Sequence, residues 1–183
     1  MSVEVEFGRE EIEELLEELG RRLQARDITG SIYVAGGAAV ALEFSQRRVT
    51  RDIDALFGPA EAVREEADAM AAERGLPPTW LSDRVRAFLP PGEDAGARVF
   101  SVPGLNVAVA SARYLLAMKM AAGRPQDLHD LILIFRELGI TKAEEAAYIA
   151  EEVHGPESVL LPSREELVLY AQAVLNRMNK PPG

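Results

Sequence analysis

Apolar residues recur along this chain with two different periods, and the change from one to the other divides it. Residues 9–24 set Ile12, Leu15, Leu16, Leu19 and Leu23 among glutamates and arginines, the spacing of an amphipathic helix whose charged face is left to solvent. Residues 31–35 are a short apolar run that closes at Gly36, the pattern of a buried strand, and 38–46 fit a helix. Residues 49–57 return as a strand ended by Gly58-Pro59, and the helix between the two strands permits a crossover. The alanine- and glutamate-rich stretch 60–74 predicts a helix stopped by Gly75 and Pro77-Pro78. Strands are expected at 79–81, 85–89, 97–102 and 105–109, around an exposed turn over 90–96.

From Ser111 onward the period is helical, with segments at 111–122, 125–138, 142–154 and 163–178. Breaks fall at Gly123-Arg124-Pro125, Gly139-Ile140-Thr141 and His154-Gly155-Pro156. The expectation is an α+β chain, with an α/β core and its N-terminal helix in 1–110 and a helical region in 111–183. The final Pro181-Pro182-Gly183 is expected to be a disordered tail. The apolar faces of 9–24 and 163–178 suit packing on the core or on a second protomer, so a homodimer stays open.

Composition narrows the chemistry. The chain has no cysteine and only two histidines, which excludes disulfides, thiolate metal sites and a cysteine nucleophile and disfavours a histidine-built zinc centre. Any metal chemistry is therefore oxygen-based. The acidic N-terminus lacks the basic and apolar regions of a secretion signal, and no window reaches transmembrane length, so a cytoplasmic protein without membrane contact is expected.

The net charge of −10 argues against a polyanionic partner until its distribution is considered. Residues 1–30 hold four basic and nine acidic groups, whereas 76–136 hold seven basic groups against five acids. Arg47, Arg48 and Arg51 lie just before the pair Asp52 and Asp54. The candidate site is locally cationic within an acidic chain.

The chemistry-bearing residues cluster around Gly36-Gly37 and Asp52-Ile53-Asp54. On a strand, Thr50, Asp52 and Asp54 would share a face, with the two carboxylates about 6.6 Å apart along the backbone. Magnesium takes one or two carboxylates plus substrate phosphates, and a glycine pair ahead of a helix lets backbone N–H groups approach those phosphates. The stretch reads as a nucleotide-phosphate site, although the third glycine of a dinucleotide fingerprint is missing. Strand-end solvation of the acids and tight-turn geometry of the glycines are the structural alternatives.

Lys119 is the lone charge in the apolar run 114–122, so its ammonium must reach either water or an anion. Asp127 falls in the first turn of the next helix, where it offsets the helix dipole by about 0.3–1 kcal/mol, and Asp130 shares its face. His129 reads as a surface or packing residue and His154 as a helix end.

The order Gly36-Gly37, Thr50-Arg51-Asp52-Ile53-Asp54, Lys119, then Arg124-Pro125-Gln126-Asp127-Leu128-His129-Asp130 resembles the four-motif pattern of the AbiEii-type nucleotidyltransferases. These are DNA polymerase beta-like enzymes that include the MenT toxins of toxin-antitoxin systems; small nucleotidyltransferase-like proteins of about this length have a similar arrangement. The resemblance spans about residues 31–138. It implies a nucleotidyltransferase core sheet flanked by helices, with a helical C-terminal region closing the cleft. It further implies that Gly36 and Gly37 line the triphosphate of an NTP, with Thr50 near the metal site, and that Asp52 and Asp54 ligate Mg2+ or Mn2+. Lys119 and Arg124 would contact nucleotide phosphates, and Asp127 would match the last-motif aspartate. The wider superfamily has a third carboxylate on a later strand, for which Asp83 is the best candidate, with Asp130 as an additional acid. By this resemblance the acceptor would be the 3′ end of tRNA and a cognate antitoxin would be a partner. Transfer to a protein or small-molecule hydroxyl, or a non-catalytic binding or regulatory module, are the alternatives.

Overall fold

The computed structural model describes residues 5–155 and 157–180, so the expected tail at 181–183 lies outside the described residues. The chain divides into two compact units. The first comprises residues 1–87 and 97–110, and the second comprises 88–96 and 111–183.

The first unit is a five-stranded mixed sheet with helices on one face. Its strands are β1 (Gly30–Val34), β2 (Ile53–Gly58), β3 (Leu81–Ser82), β4 (Arg98–Val102) and β5 (Leu105–Val109), in the order β3-β2-β1-β5-β4. β1 runs antiparallel to β2 and parallel to β5, β2 parallel to β3, and β4 antiparallel to β5. The helix joining β1 to β2 therefore returns the chain antiparallel rather than making a parallel crossover.

Helices α1 (Arg9–Ala25), α2 (Gly36–Glu43) and α3 (Ala60–Arg74) cover one face, with α1 against β5 and α2 and α3 against β2. Ile32, Val34, Ile53, Ala55, Val107 and Val109 point into this core, where they meet Ile12, Leu15, Leu16, Leu19 and Leu23 of α1. Each fully buried valine, leucine or isoleucine among them contributes about 1.5–3 kcal/mol. The charged face of α1 is not simply solvated: Arg26 bonds Glu66 at 2.8 Å and Glu65 at 2.9 Å on α3, and Arg74 of α3 reaches Glu18 at 2.8 Å.

Several sequence expectations shift. Residues 49–52 are not part of the second strand. Thr50 instead exchanges both backbone hydrogen bonds with Phe7, at 2.7 and 2.9 Å, and β2 begins only at Ile53. The helix expected at 38–46 begins earlier, at Gly36, and ends at Glu43. The strand expected at 85–89 is a 3₁₀ turn over Arg84–Phe88, closed by the Arg86 N–H donating to the Asp83 carbonyl at 3.1 Å. Only Val85 of that turn is buried, so the apparent alternation had no sheet face to serve.

The second unit is helical: α4 (Ala112–Ala122), α5 (Leu128–Glu137), α6 (Ala143–His154) and α7 (Arg164–Met178). Ser111 caps α4, accepting from the Tyr114 N–H, and Ser163 with Glu166 forms a capping box on α7. The segment expected as one helix over 125–138 opens with a 3₁₀ turn, Pro125–Asp127, before α5. The 90–96 turn is tied down by Asp94, which accepts from the Ser111 N–H at 2.8 Å, while Pro90 is buried. Among the described residues, no helix is long and apolar enough to cross a membrane.

Candidate functional site

The candidate residues fall into two groups, one in each unit. In the first, β1 ends at Val34 and Gly36 turns the chain into α2 with φ +58°, a left-handed conformation that a side chain would strain. The Ala35 N–H donates to the Asp54 carbonyl at 2.8 Å, which fixes the start of α2 beside β2. Space is equally tight. A Cβ on Gly36 would stand 2.9 Å from Oδ2 of Asp54, and one on Gly37 would stand 2.9 Å from Oγ1 of Thr50. The glycine pair and the aspartate strand, separate in sequence, thus share one pocket of backbone.

Thr50 is buried, and its hydroxyl donates to the Asp52 carbonyl at 3.1 Å, shaping the bend that leads into β2. Asp52 and Asp54 are half-buried on either side of the fully buried Ile53. The N-cap residue of α2, Ala35, has no capping side chain, and the first turn itself carries no acid. First-turn amides and the helix dipole favour an anion at such an end.

Register identifies the neighbour of this pair. On β3 the residue opposite Asp54 is Ser82, which is buried, whereas Asp83 is one position further on and exposed. Among the described residues, no three His, Asp or Glu side chains converge as a metal-binding group. One carboxylate, Asp54, stands beside the glycine cradle that a Cβ would fill, and would suit a magnesium ion that takes other ligands from phosphates and water. Asp52 lies in the bend before β2, so the strand face expected to carry Thr50, Asp52 and Asp54 together is not formed. Ser82 carried no signal in the sequence, because a serine after an apolar pair is unremarkable there.

In the second unit, Lys119 of α4 is 6% exposed and its ammonium lies 2.6 Å from Oδ1 of Asp127 and 2.9 Å from Oδ2 of Asp130. Asp130 is 1% exposed. Sequence reasoning linked Lys119 to an anion but did not foresee that the anions are its own two carboxylates. The three-residue spacing of the acids on the turn into α5 aims both at one lysine.

Arg124 precedes that turn. Its guanidinium sits 5.1 Å above the Phe88 ring, and its carbonyl accepts from the Tyr170 hydroxyl of α7 at 2.9 Å. Burial, then the nearby Asp127 charge, pushes the Tyr170 hydroxyl pKa up, so it remains a donor. His129 is exposed, the surface alternative of the two the sequence left open. His154 is buried with its Nε2 at 3.2 Å from the Ala117 carbonyl, and burial lowers its pKa.

No protein-family model, curated protein or solved structure matches the chain. The site has to be interpreted from its own chemistry.

Proposed function

We propose that the protein is a metal-dependent nucleotidyltransferase, transferring NMP from an NTP to an acceptor hydroxyl, with a polymerase beta-like core of the AbiEii type. The observation that carries this is the close approach of Gly36 to Asp54 and of Gly37 to Thr50, which sets the glycine turn that opens α2 beside the Asp54 carboxylate. Neither feature alone would suffice.

In this mechanism the amides at the start of α2 hold the triphosphate, and Asp52 and Asp54 hold Mg2+ or Mn2+. The bound ion would supply positive charge to the phosphoryl oxygens. The acceptor hydroxyl oxygen attacks the α-phosphorus and gives up its proton to water, as the bond to the bridging oxygen breaks and pyrophosphate leaves. Lys119, shared by Asp127 and Asp130, and Arg124, whose guanidinium lies over Phe88, belong to the second unit and carry no step here. Positioning and fixed charge carry most of the rate in such chemistry.

A second reading, a non-catalytic nucleotide-binding module, is favoured by one observation: Ser82, not a carboxylate, stands opposite Asp54 on β3. Under the enzyme reading, the toxin role and a cognate antitoxin follow only if the acceptor is tRNA. The exposed Arg47, Arg51 and Arg84 would suit such a polyanion.

The test is transfer of label from each α-labelled NTP, with magnesium, to total RNA and to total protein, comparing the native chain with Asp52→Ala/Asp54→Ala. Label in RNA that vanishes in the variant supports the tRNA-directed toxin, and label in protein supports protein nucleotidylation. Metal-dependent NTP binding without label in either leaves a small-molecule acceptor or the module. Absence of NTP binding sinks the enzyme reading.

A further inference from the structure

Among the described residues of the first unit, helices cover one face of the sheet only. On the other face the strand registers align two rows of side chains across four strands. Val99, Ala108, Tyr33 and Leu56 form an apolar row, and Ser101, Asn106, Ser31 and Gly58 form a polar row beside it. Together they floor an open cavity of about 760 Å³. That is within the roughly 300–1,000 Å³ typical of small-molecule sites. Val99 is 75% exposed, which is unusual for a strand valine and leaves apolar surface facing water.

The polar content of the cavity is asymmetric. Arg86, from the 3₁₀ turn, is among the described residues the one charged side chain lining it, and no carboxylate among them does so. Among the described residues, Arg86 makes no ion pair, although acids outnumber bases in the chain by 30 to 20. We propose that this face binds a small amphipathic anion, a planar apolar body bearing one carboxylate, sulfonate or phosphate. The planar body lies across the shallow floor at Ala108 between Tyr33 and Val99, the Ser and Asn row supplies hydrogen bonds, and Arg86 receives the anionic group.

The location connects this site to the chemistry. Asp54 lies two residues beyond Leu56 on the same strand and so on the same face, roughly 7 Å along it. A hydroxyl on the bound anion is the acceptor for nucleotidyl transfer. That role rests on the proposed function, whereas the binding does not.

The test is fluorescence titration of the full chain with anilinonaphthalene sulfonate, an apolar fused ring bearing one anion, beside its uncharged analogue N-phenylnaphthylamine. Both dyes bind the native chain. Arg86→Gln weakens the sulfonate by about fivefold, the scale of an exposed ion pair, and leaves the neutral dye unchanged. Val99→Glu, at an exposed position that tolerates the change, weakens both dyes and the sulfonate more. Failure of the native chain to bind either dye, or sulfonate binding indifferent to Arg86→Gln, overturns the proposal. A dimer that Val99→Glu dissociates, in a chain that binds no dye, assigns the face to a second copy and also overturns it. Dye binding with the expected variant pattern, in a chain that transfers no nucleotide to any acceptor, keeps the site and removes only its acceptor role.

Discussion

A Cβ on Gly36 would stand 2.9 Å from Oδ2 and 3.2 Å from Cβ of Asp54, so the left-handed residue that opens α2 and the carboxylate of β2 occupy adjoining space. Gly36→Ala therefore has two costs. The left-handed backbone alone costs about 1–2 kcal/mol with a side chain present. The methyl group also displaces the Asp54 carboxylate. Urea unfolding is expected to show that loss with the chain still folded, and magnesium-dependent NTP binding is expected to fall as it does in Asp54→Asn. Undiminished binding in a folded Gly36→Ala variant would separate the glycine from the carboxylate.

The Lys119 cluster makes a stability prediction of its own. Lys119→Met removes the ion pair that Lys119 makes with the buried Asp130, and breaking one partner of a buried pair costs about 3–5 kcal/mol. Lys119→Met/Asp130→Asn is expected to recover part of this in denaturant unfolding, because the second change removes a buried charge that has lost that pair. Loss of activity in a Lys119 variant must be read against this stability change before it is assigned to phosphate binding.

Asp83 is exposed and out of register with Asp54. On the proposed function, Asp83→Asn is expected to keep nucleotidyl transfer within about twofold, since Asp83 does not stand opposite Asp54, in contrast to the two or more decades that a general base supplies. A loss of that larger size in steady-state kinetics would restore Asp83 as the third carboxylate.

His154 makes stability depend on pH. Burial holds its folded pKa below the usual value of 6.5, so the unfolded chain binds the proton more readily. Its contribution to stability is fully present above that value, is lost as pH falls through it, and levels off below the folded pKa. Unfolding free energies measured from about pH 8 to about pH 5 should decline on this account, and His154→Gln should flatten the decline.

The legible parts of the chain were those punctuated locally. α3 was readable because Pro59 and Gly75 bound it, and the buried stripe of α1 because five leucine and isoleucine positions keep helical spacing. Thr50 was misassigned to a strand because its partner, Phe7, is distant in sequence and only the folded chain brings them together. The 3₁₀ turn Arg84–Phe88 mimics strand alternation over too few residues for periodicity to decide. For the site, the residue types were visible in sequence, but two relationships were not. One is Ser82 opposite Asp54, which depends on register, and the other is Lys119 shared by Asp127 and Asp130, which depends on how α4 meets α5.

The most direct test of a metal and triphosphate site at Gly36, Gly37, Asp52 and Asp54 is calorimetric titration with an NTP analogue that cannot be cleaved at the α-phosphorus, with and without magnesium. Binding that needs the metal in the native chain, and is lost in Asp54→Asn while that variant stays folded, is the predicted result. Equal affinity with and without magnesium, or undiminished affinity in Asp54→Asn, would contradict the assignment.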